Sequence, residues 1–281
     1  CEGLVGSEMC IRDSISSNLG VRYSISDNEN IYFNYSISSR KPNPSELFSE
    51  GLHHSSARIE VGDLSFTSEV GNNVSLNYSF SNVKSALTFS SFYNYVNDFI
   101  YIIPVRTTTT IAGVFPVWEY MQADANLYGF DVKYDKQYFD NFFIGHQFSL
   151  VKGHERSNDK PLINMPPANL KNSISYNFTD FNNLNISLES EYVFEQNEYP
   201  NTNFEIYIPT TETYAMLDTS TPPKAYHLLN LSSSMRFNSK NGGKYKINLR
   251  VENLFNNLYK DYLNRLRSVS YTHLRAHETF A

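Results

Sequence analysis

His53 and His54 are the only adjacent histidines in the chain, and Glu46 and Glu50 lie close by. Imidazole and carboxylate together suit copper, nickel, iron or zinc. The pair is therefore a weak candidate contact for a metal or a metal chelate, and a structural role in a polar loop is the preferred reading. Arg40, Lys41 and Arg58 form one group of cations that would attract an anionic ligand. Arg106, Arg156 and Lys160 form another, although ordinary solvated loop charge accounts for any one of them. Trp118, Tyr120, Tyr199, Tyr207 and Tyr214 are aromatic residues outside the regular stripes. Such rings stack on ligands or pack their own loop. Covalent chemistry finds no support, because no nucleophile elbow, phosphate loop or zinc-helix motif occurs. A hydrolase would have to take its base from His146 or His227, and both sit beside apolar stripes. No catalytic residue, no enzyme activity and no cofactor are expected.

The elements that must position these residues are strands. Apolar side chains alternate with polar ones in stretches of roughly ten residues, as in Ile31, Phe33, Tyr35 and Ile37, or Tyr245, Ile247, Leu249 and Val251. A period of two marks a strand with one apolar face. Ten strands are predicted, near 18–26, 31–40, 64–80, 83–99, 123–138, 142–153, 170–179, 184–196, 226–237 and 244–255. The gaps between them alternate in length. Short ones at Asp27–Asn30, Ser81–Asn82, Phe139–Asn141, Asp180–Asn183 and Asn238–Gly243 carry the Asn, Asp and Gly of tight turns. Long ones fall near 41–63, 100–122, 154–169, 197–225 and 256–267. Strands of about 9–11 residues, with short turns at one end and long loops at the other, describe a transmembrane antiparallel β-barrel. Stripes such as Leu87, Phe89, Tyr93 and Tyr95, Tyr128, Phe130, Val132 and Tyr134, or Phe142, Ile144, Phe148 and Leu150, then face lipid. Asp131, Lys133, Gln147, Ser187 and Glu189 face the lumen.

Composition agrees. The chain has 21 Tyr and 20 Phe but one Trp, and no stretch approaches the roughly 20 apolar residues of a helical span. Its formal charge of −6 gives no basic face for nucleic acid. Both ends break the rhythm. Residues 4–13 and 269–279 are encodable by one oligonucleotide read in opposite directions, as a translated sequencing adapter would be. Residues 1–14 and 268–281 are therefore expected to be foreign and are set aside. With them go Cys1 and Cys10, leaving no cysteine for a disulfide or thiolate site. The two ends hold two arginines against four acids, so the remaining charge is −4.

Three segments resemble TonB-dependent outer-membrane receptors. Ser39–His54 carries a Pro-containing Glu46–Leu47–Phe48 followed by Gly51. Lys160–Tyr176 carries the apolar Met165–Pro166–Pro167 element. Leu249–Arg267 carries Asn253–Leu254–Phe255–Asn256. Their order and their position at loop–strand junctions match the family. The resemblance implies a barrel of about 22 strands, an N-terminal plug and a TonB-contacting segment. Residues 15–267 would be the C-terminal part of such a barrel, without plug, TonB-contact segment or closing strand, and Phe280 would not be the family's terminal aromatic residue.

The implied function is uptake of a scarce nutrient, such as a ferric siderophore or other metal chelate, across the bacterial outer membrane. Partners would be outer-membrane lipid and lipopolysaccharide, TonB through the absent part, and the extracellular ligand. The candidate ligand residues are Arg40, His53, His54, Arg58, Trp118, Tyr120 and Tyr207. A passive porin or adhesion-type barrel, or a soluble glycan-binding β-domain, would share the hairpins but lack the three segments.

Overall fold

A computed structural model describes residues 16–111, 113–208, 211–238, 244–262 and 273–280, the last of these as backbone. It is nearly all strand. Ten long strands build the wall: β1 Ser16–Ser26, β2 Glu29–Arg40, β5 Glu69–Ser81, β6 Ser85–Thr110, β7 Gly113–Phe139, β8 Phe142–Glu155, β10 Asn169–Phe178, β11 Leu184–Val193, β14 Tyr226–Asn238 and β15 Lys244–Glu252. Between them lie helix α1 Pro44–Phe48, the hairpin β3 Glu50–His53 with β4 Arg58–Val61, the two-residue β9 Lys160–Pro161, and the separate hairpin β12 Phe204–Ile208 with β13 Thr213–Leu217. A last strand, β16 His273–Phe280, pairs its backbone with β15. Strand pairing is made by main-chain groups and needs no particular side chain. The wall runs β1-β2-β5-β6-β7-β8-β10-β11-β14-β15-β16, each strand antiparallel to the next, with β1 and β16 at its two edges. Among the described residues the sheet is not closed.

The short turns follow from their residues. Asn182 and Asn183 both take left-handed backbone at φ 53°, which Asn tolerates better than most residues. The Asn82 side chain accepts from the N–H groups of Lys84 and Ser85 at 2.9 and 2.7 Å and so folds its own turn. The turn expected at Asn238–Gly243 lies almost wholly outside the described residues.

Register sorts the wall into two faces. Tyr93 pairs with Tyr128, Phe89 with Val132, and Val132 in turn with Phe148. Ile144 pairs with Ile174, Ile174 with Leu188, and Leu188 with Leu231. The apolar stripes thus join across strands into one continuous outward band. The other face is polar. Lys133 pairs with Gln147 and Gln147 with Lys171, whose ammonium lies 3.0 Å from Glu191. Arg250 lies 2.9 Å from Glu252 and 3.7 Å from Glu189.

Two boundaries differ from the sequence reading. The strand expected from residue 64 begins at Glu69, because Asp63 turns the chain by accepting from the backbone and hydroxyl of Ser65. The gap expected at 100–122 is not a loop. There β6 and β7 run on as one long hairpin, with pairing broken only at bulges between Val96 and Phe99 and between Pro104 and Arg106. Bulges absorb an extra residue without ending a strand.

Candidate functional site

The long connections gather at one end of the wall, and Arg40 anchors them. It ends β2, and its guanidinium donates to Glu69 at 2.6 Å and to Glu46 at 3.0 and 3.1 Å. Both carboxylates are buried. The hydrogen bond to Glu69, followed by that to Glu46, holds Arg40 more firmly protonated than an ordinary arginine. Glu46 also closes a capping box on α1. The Asn43 side chain accepts from the Glu46 N–H at 3.0 Å, and the Glu46 carboxylate accepts from the Asn43 N–H at 2.8 Å. Gly62 lets the strand after this helix pass close beneath it, since a Cβ there would stand 2.7 Å from the Glu46 carbonyl oxygen.

From this anchor the β3–β4 hairpin reaches across to β7. β4 pairs with β7 in parallel, Ile59 with Val117 and Glu60 with Trp118. Val117 and Trp118 are buried. Arg58 lies 4.6 Å above the Trp118 ring and 2.5 Å from Glu60, so both its charge and its flat face are engaged. His53 Nδ1 contacts the Ser56 hydroxyl and stands 3.5 Å from Glu60. His54 opens the following 3-10 turn. Among the described residues, no three His, Cys, Asp or Glu side chains gather as a metal site would require.

A cavity of about 520 Å³ opens beside Trp118. Phe115 on the β7 extension forms one wall. Asn164, just before the Met-Pro-Pro element, forms a second. Tyr199 and the 217–223 segment form a third, and Lys260 and Tyr262 close the fourth. Side chains bonded to the main chain hold the second and third walls. Gln196 donates to the carbonyls of Met165 and Pro166 at 2.9 and 3.4 Å. Asn203 accepts from the N–H groups of Thr219 and Ser220 at 2.9 and 3.2 Å. Burial pushes the Tyr262 phenol up to about 12.

The Asn-Leu-Phe-Asn segment places Tyr262 and Lys260. Asn253 is 4 % exposed, takes left-handed backbone at φ 54°, and donates its N–H to Asn230. Its side chain accepts from the Asn257 N–H and donates to the Asn257 carbonyl, both at 2.9 Å. Asn256 is left-handed as well, whereas Phe255 points out into solvent. Replacing Asn253 by alanine is expected to cost about 2–3 kcal/mol, from the strained backbone and the buried groups left without partners. Glycine there should recover the backbone part only. Denaturant midpoints of the two variants in the full-length protein check this.

Of the candidates read from sequence, Arg58, Trp118 and Tyr199 line the cavity together. Arg40 is an anchor, spent on two carboxylates. His53 and His54 shape the hairpin beside it. Tyr120 sits within β7 opposite Ile102, not in a loop. Tyr207 stands apart on the β12–β13 hairpin, exposed, its ring 5.3 Å from that of Tyr214. His146 and His227 lie on the outward face, hydrogen-bonded to Asn172 and Ser190. Lys260, Tyr262 and Asn164 were not foreseen as site residues.

The chain matches the TonB-dependent receptor-like β-barrel family model over residues 8–254. It belongs to that family. The match overlaps residues 8–14 and stops short of 268–281. Among solved structures, the copper transporter OprC superposes with a TM-score of 0.70 at 17% identity, covering 94% of this chain and 38% of that one. The FrpB iron transporter of Neisseria meningitidis (F3-3 variant) gives 0.62 at 16% identity, covering 94% and 39%. The siderophore receptor PirA of Pseudomonas aeruginosa gives 0.58 at 14% identity, covering 86% and 39%. These likenesses are of fold. The chain spans about two fifths of the length of those structures. A comparison with curated protein sequences found no match.

Proposed function

We propose that this chain is the C-terminal part of an outer-membrane receptor that takes up a scarce nutrient, such as a ferric siderophore or other metal chelate, with energy delivered through TonB. The observation that carries the reading is the packing of four long connections around one cavity at the loop end of a barrel wall. A passive channel has no need of such packing, whereas a high-affinity receptor requires walls fixed before the ligand arrives. The protein's place is the outer membrane, its outward band in contact with lipid and lipopolysaccharide. The plug and the TonB contact belong to the absent part, and transport involves no covalent chemistry. Residues 1–14 and 268–281 remain assigned to foreign sequence. The DNA sequence of the two ends tests that assignment, and codons unrelated to one shared oligonucleotide would remove it.

Cells carrying the full-length receptor should accumulate a radiolabelled ferric chelate only while TonB is functional. The isolated chain in liposomes should transport nothing, since its two open strand edges are costly in lipid. Uptake that persists without TonB, or transport by the isolated chain, would refute this reading.

A further inference from the structure

The outward band is not apolar throughout. Beside the Leu188 row, on the side of the loops, one row is polar. There His146 on β8 pairs with Asn172 on β10, and Asn172 with Ser190 on β11. The next row towards the loops is apolar again, with Phe148, Leu170 and Tyr192 in register. The polar row thus lies inside the band, away from the headgroup level at either end. His146 is exposed, and Asn172 and Ser190 are half-buried.

Water is absent at this depth, so polar groups must find their partners in protein. Two contacts within the wall meet part of that need. His146 Nδ1 lies 2.7 Å from Asn172 Oδ1, and the Ser190 hydroxyl lies 2.8 Å from His227 Nε2. A carbonyl oxygen only accepts, so His146 donates through Nδ1–H, and the uncharged ring keeps an acceptor at Nε2. The Asn172 amide keeps its two N–H donors. Among the described residues, neither His146 Nε2 nor the Asn172 amide nitrogen has a hydrogen-bond partner.

An acceptor and a donor side by side on adjacent strands complement a copy of themselves. Copies inserted in one membrane share one orientation, so a twofold axis relating them runs along the membrane normal. Each residue then meets the other copy at its own depth. With the axis between β8 and β10, Asn172 of each copy donates to His146 Nε2 of the other. A lipid cannot do this, because its polar atoms stand at the headgroup level. Any other spanning chain would have to carry a matching donor and acceptor at this depth. The row holds no Lys, Arg, Asp or Glu, so like copies do not repel.

We propose that the outward face of β8 and β10 binds a second copy of this protein, and that reciprocal His146–Asn172 hydrogen bonds join the two barrels. Assembly of this kind goes beyond uptake and shares with the transport reading only the placing of the outward band in lipid.

Cross-linking with a short bifunctional thiol reagent tests it, on the full-length protein in a cysteine-free background, both in outer membranes and in lipid vesicles. Ile174→Cys, next to the polar row on β10, should give linked dimers. Val74→Cys, outward on the distant β5, should not. In vesicles, energy transfer between separately labelled copies reads the dimer dissociation constant. His146→Phe and Asn172→Leu should each raise it at least about tenfold, as loss of two hydrogen bonds between spanning segments would. Ser175→Ala, on the lumen face, should leave it unchanged. Thermal midpoints confirm that the variants fold. A face that meets lipid instead would give no link at position 174, and both apolar substitutions would raise the midpoint without changing assembly. That result, dimers indifferent to both substitutions, or linkage of position 174 only to a different protein would overturn the proposal. Failure of the full-length protein to enter lipid would overturn the placing of the band, and with it the transport reading.

Discussion

Replacing Leu188 by arginine is expected to destabilise the barrel by about 2–4 kcal/mol, the cost of a cation facing hydrocarbon near the middle of a membrane strand. Leu188 stands halfway along β11 in a row with Ile144, Ile174 and Leu231, and its side chain is outward and partly open. The neighbouring Ser187→Arg is expected to cost less than about 0.5 kcal/mol, because that side chain enters the polar lumen. Ser187 pairs with Ser175 and Ser232, and Glu189 and Glu191 share its face. Urea unfolding of the full-length receptor in lipid vesicles measures both. A midpoint shift in Leu188→Arg with unchanged slope is the signature of a stability change. Equal costs for the two substitutions would remove the assignment of the apolar band to lipid.

The band was legible because strand alternation is local. Each stripe is visible within its own ten residues, and antiparallel register then has to align the stripes, since a slip of one residue would turn a whole strand's apolar set to the lumen. The long hairpin beyond the band was not legible. Over 97–122 both faces carry apolar residues, as in Phe99-Ile100-Tyr101-Ile102-Ile103, and Pro104 and Pro116 read as strand breakers. The bulge at Pro104 removes the conflict, because the residue that lacks an N–H sits where the ladder is already interrupted.

The cavity was half legible for a related reason. Arg58 and Trp118 announce themselves by type, but their pairing depends on β4 lying parallel to β7, a contact between segments nearly sixty residues apart. Tyr262 and Lys260 are placed by the two left-handed asparagines, Asn253 and Asn256. The Asn-Leu-Phe-Asn motif identifies that turn, yet gives no sign of which later side chains it delivers. For Arg40, Arg58, Arg106 and Arg156 the sequence shows a charge without its partner. Arg40 looked like an anion attractor, and its two acids, six and 29 residues away in sequence, become visible only in the folded chain.

That ion cluster gives the second large expectation. Arg40→Met should cost about 3–5 kcal/mol, because breaking a buried pair leaves its carboxylates uncompensated. The Glu46 and Glu69 side chains are 9% and 10% exposed, whereas Arg40 is 45% exposed. Solvent at the guanidinium moves the expectation toward the lower end of that range. The consequence extends beyond α1. Glu69 also accepts the Ile100 N–H at 2.6 Å, at the point where β6 resumes pairing after its first bulge. An unpaired Glu69 would draw in water and loosen both the helix and the base of the long hairpin. Lysine at position 40 should recover part of the loss, since one ammonium lacks the fork that reaches both carboxylates. Adding Glu46→Gln and Glu69→Gln to Arg40→Met should recover more, because the penalty comes from buried charge and not from the missing side chain. Thermal midpoints of the full-length receptor in detergent, with protease cleavage in 41–63 as the local readout, separate these cases. If the triple variant is no more stable than Arg40→Met alone, packing of the arginine stem holds the loops in place, and the electrostatic account of the anchor fails.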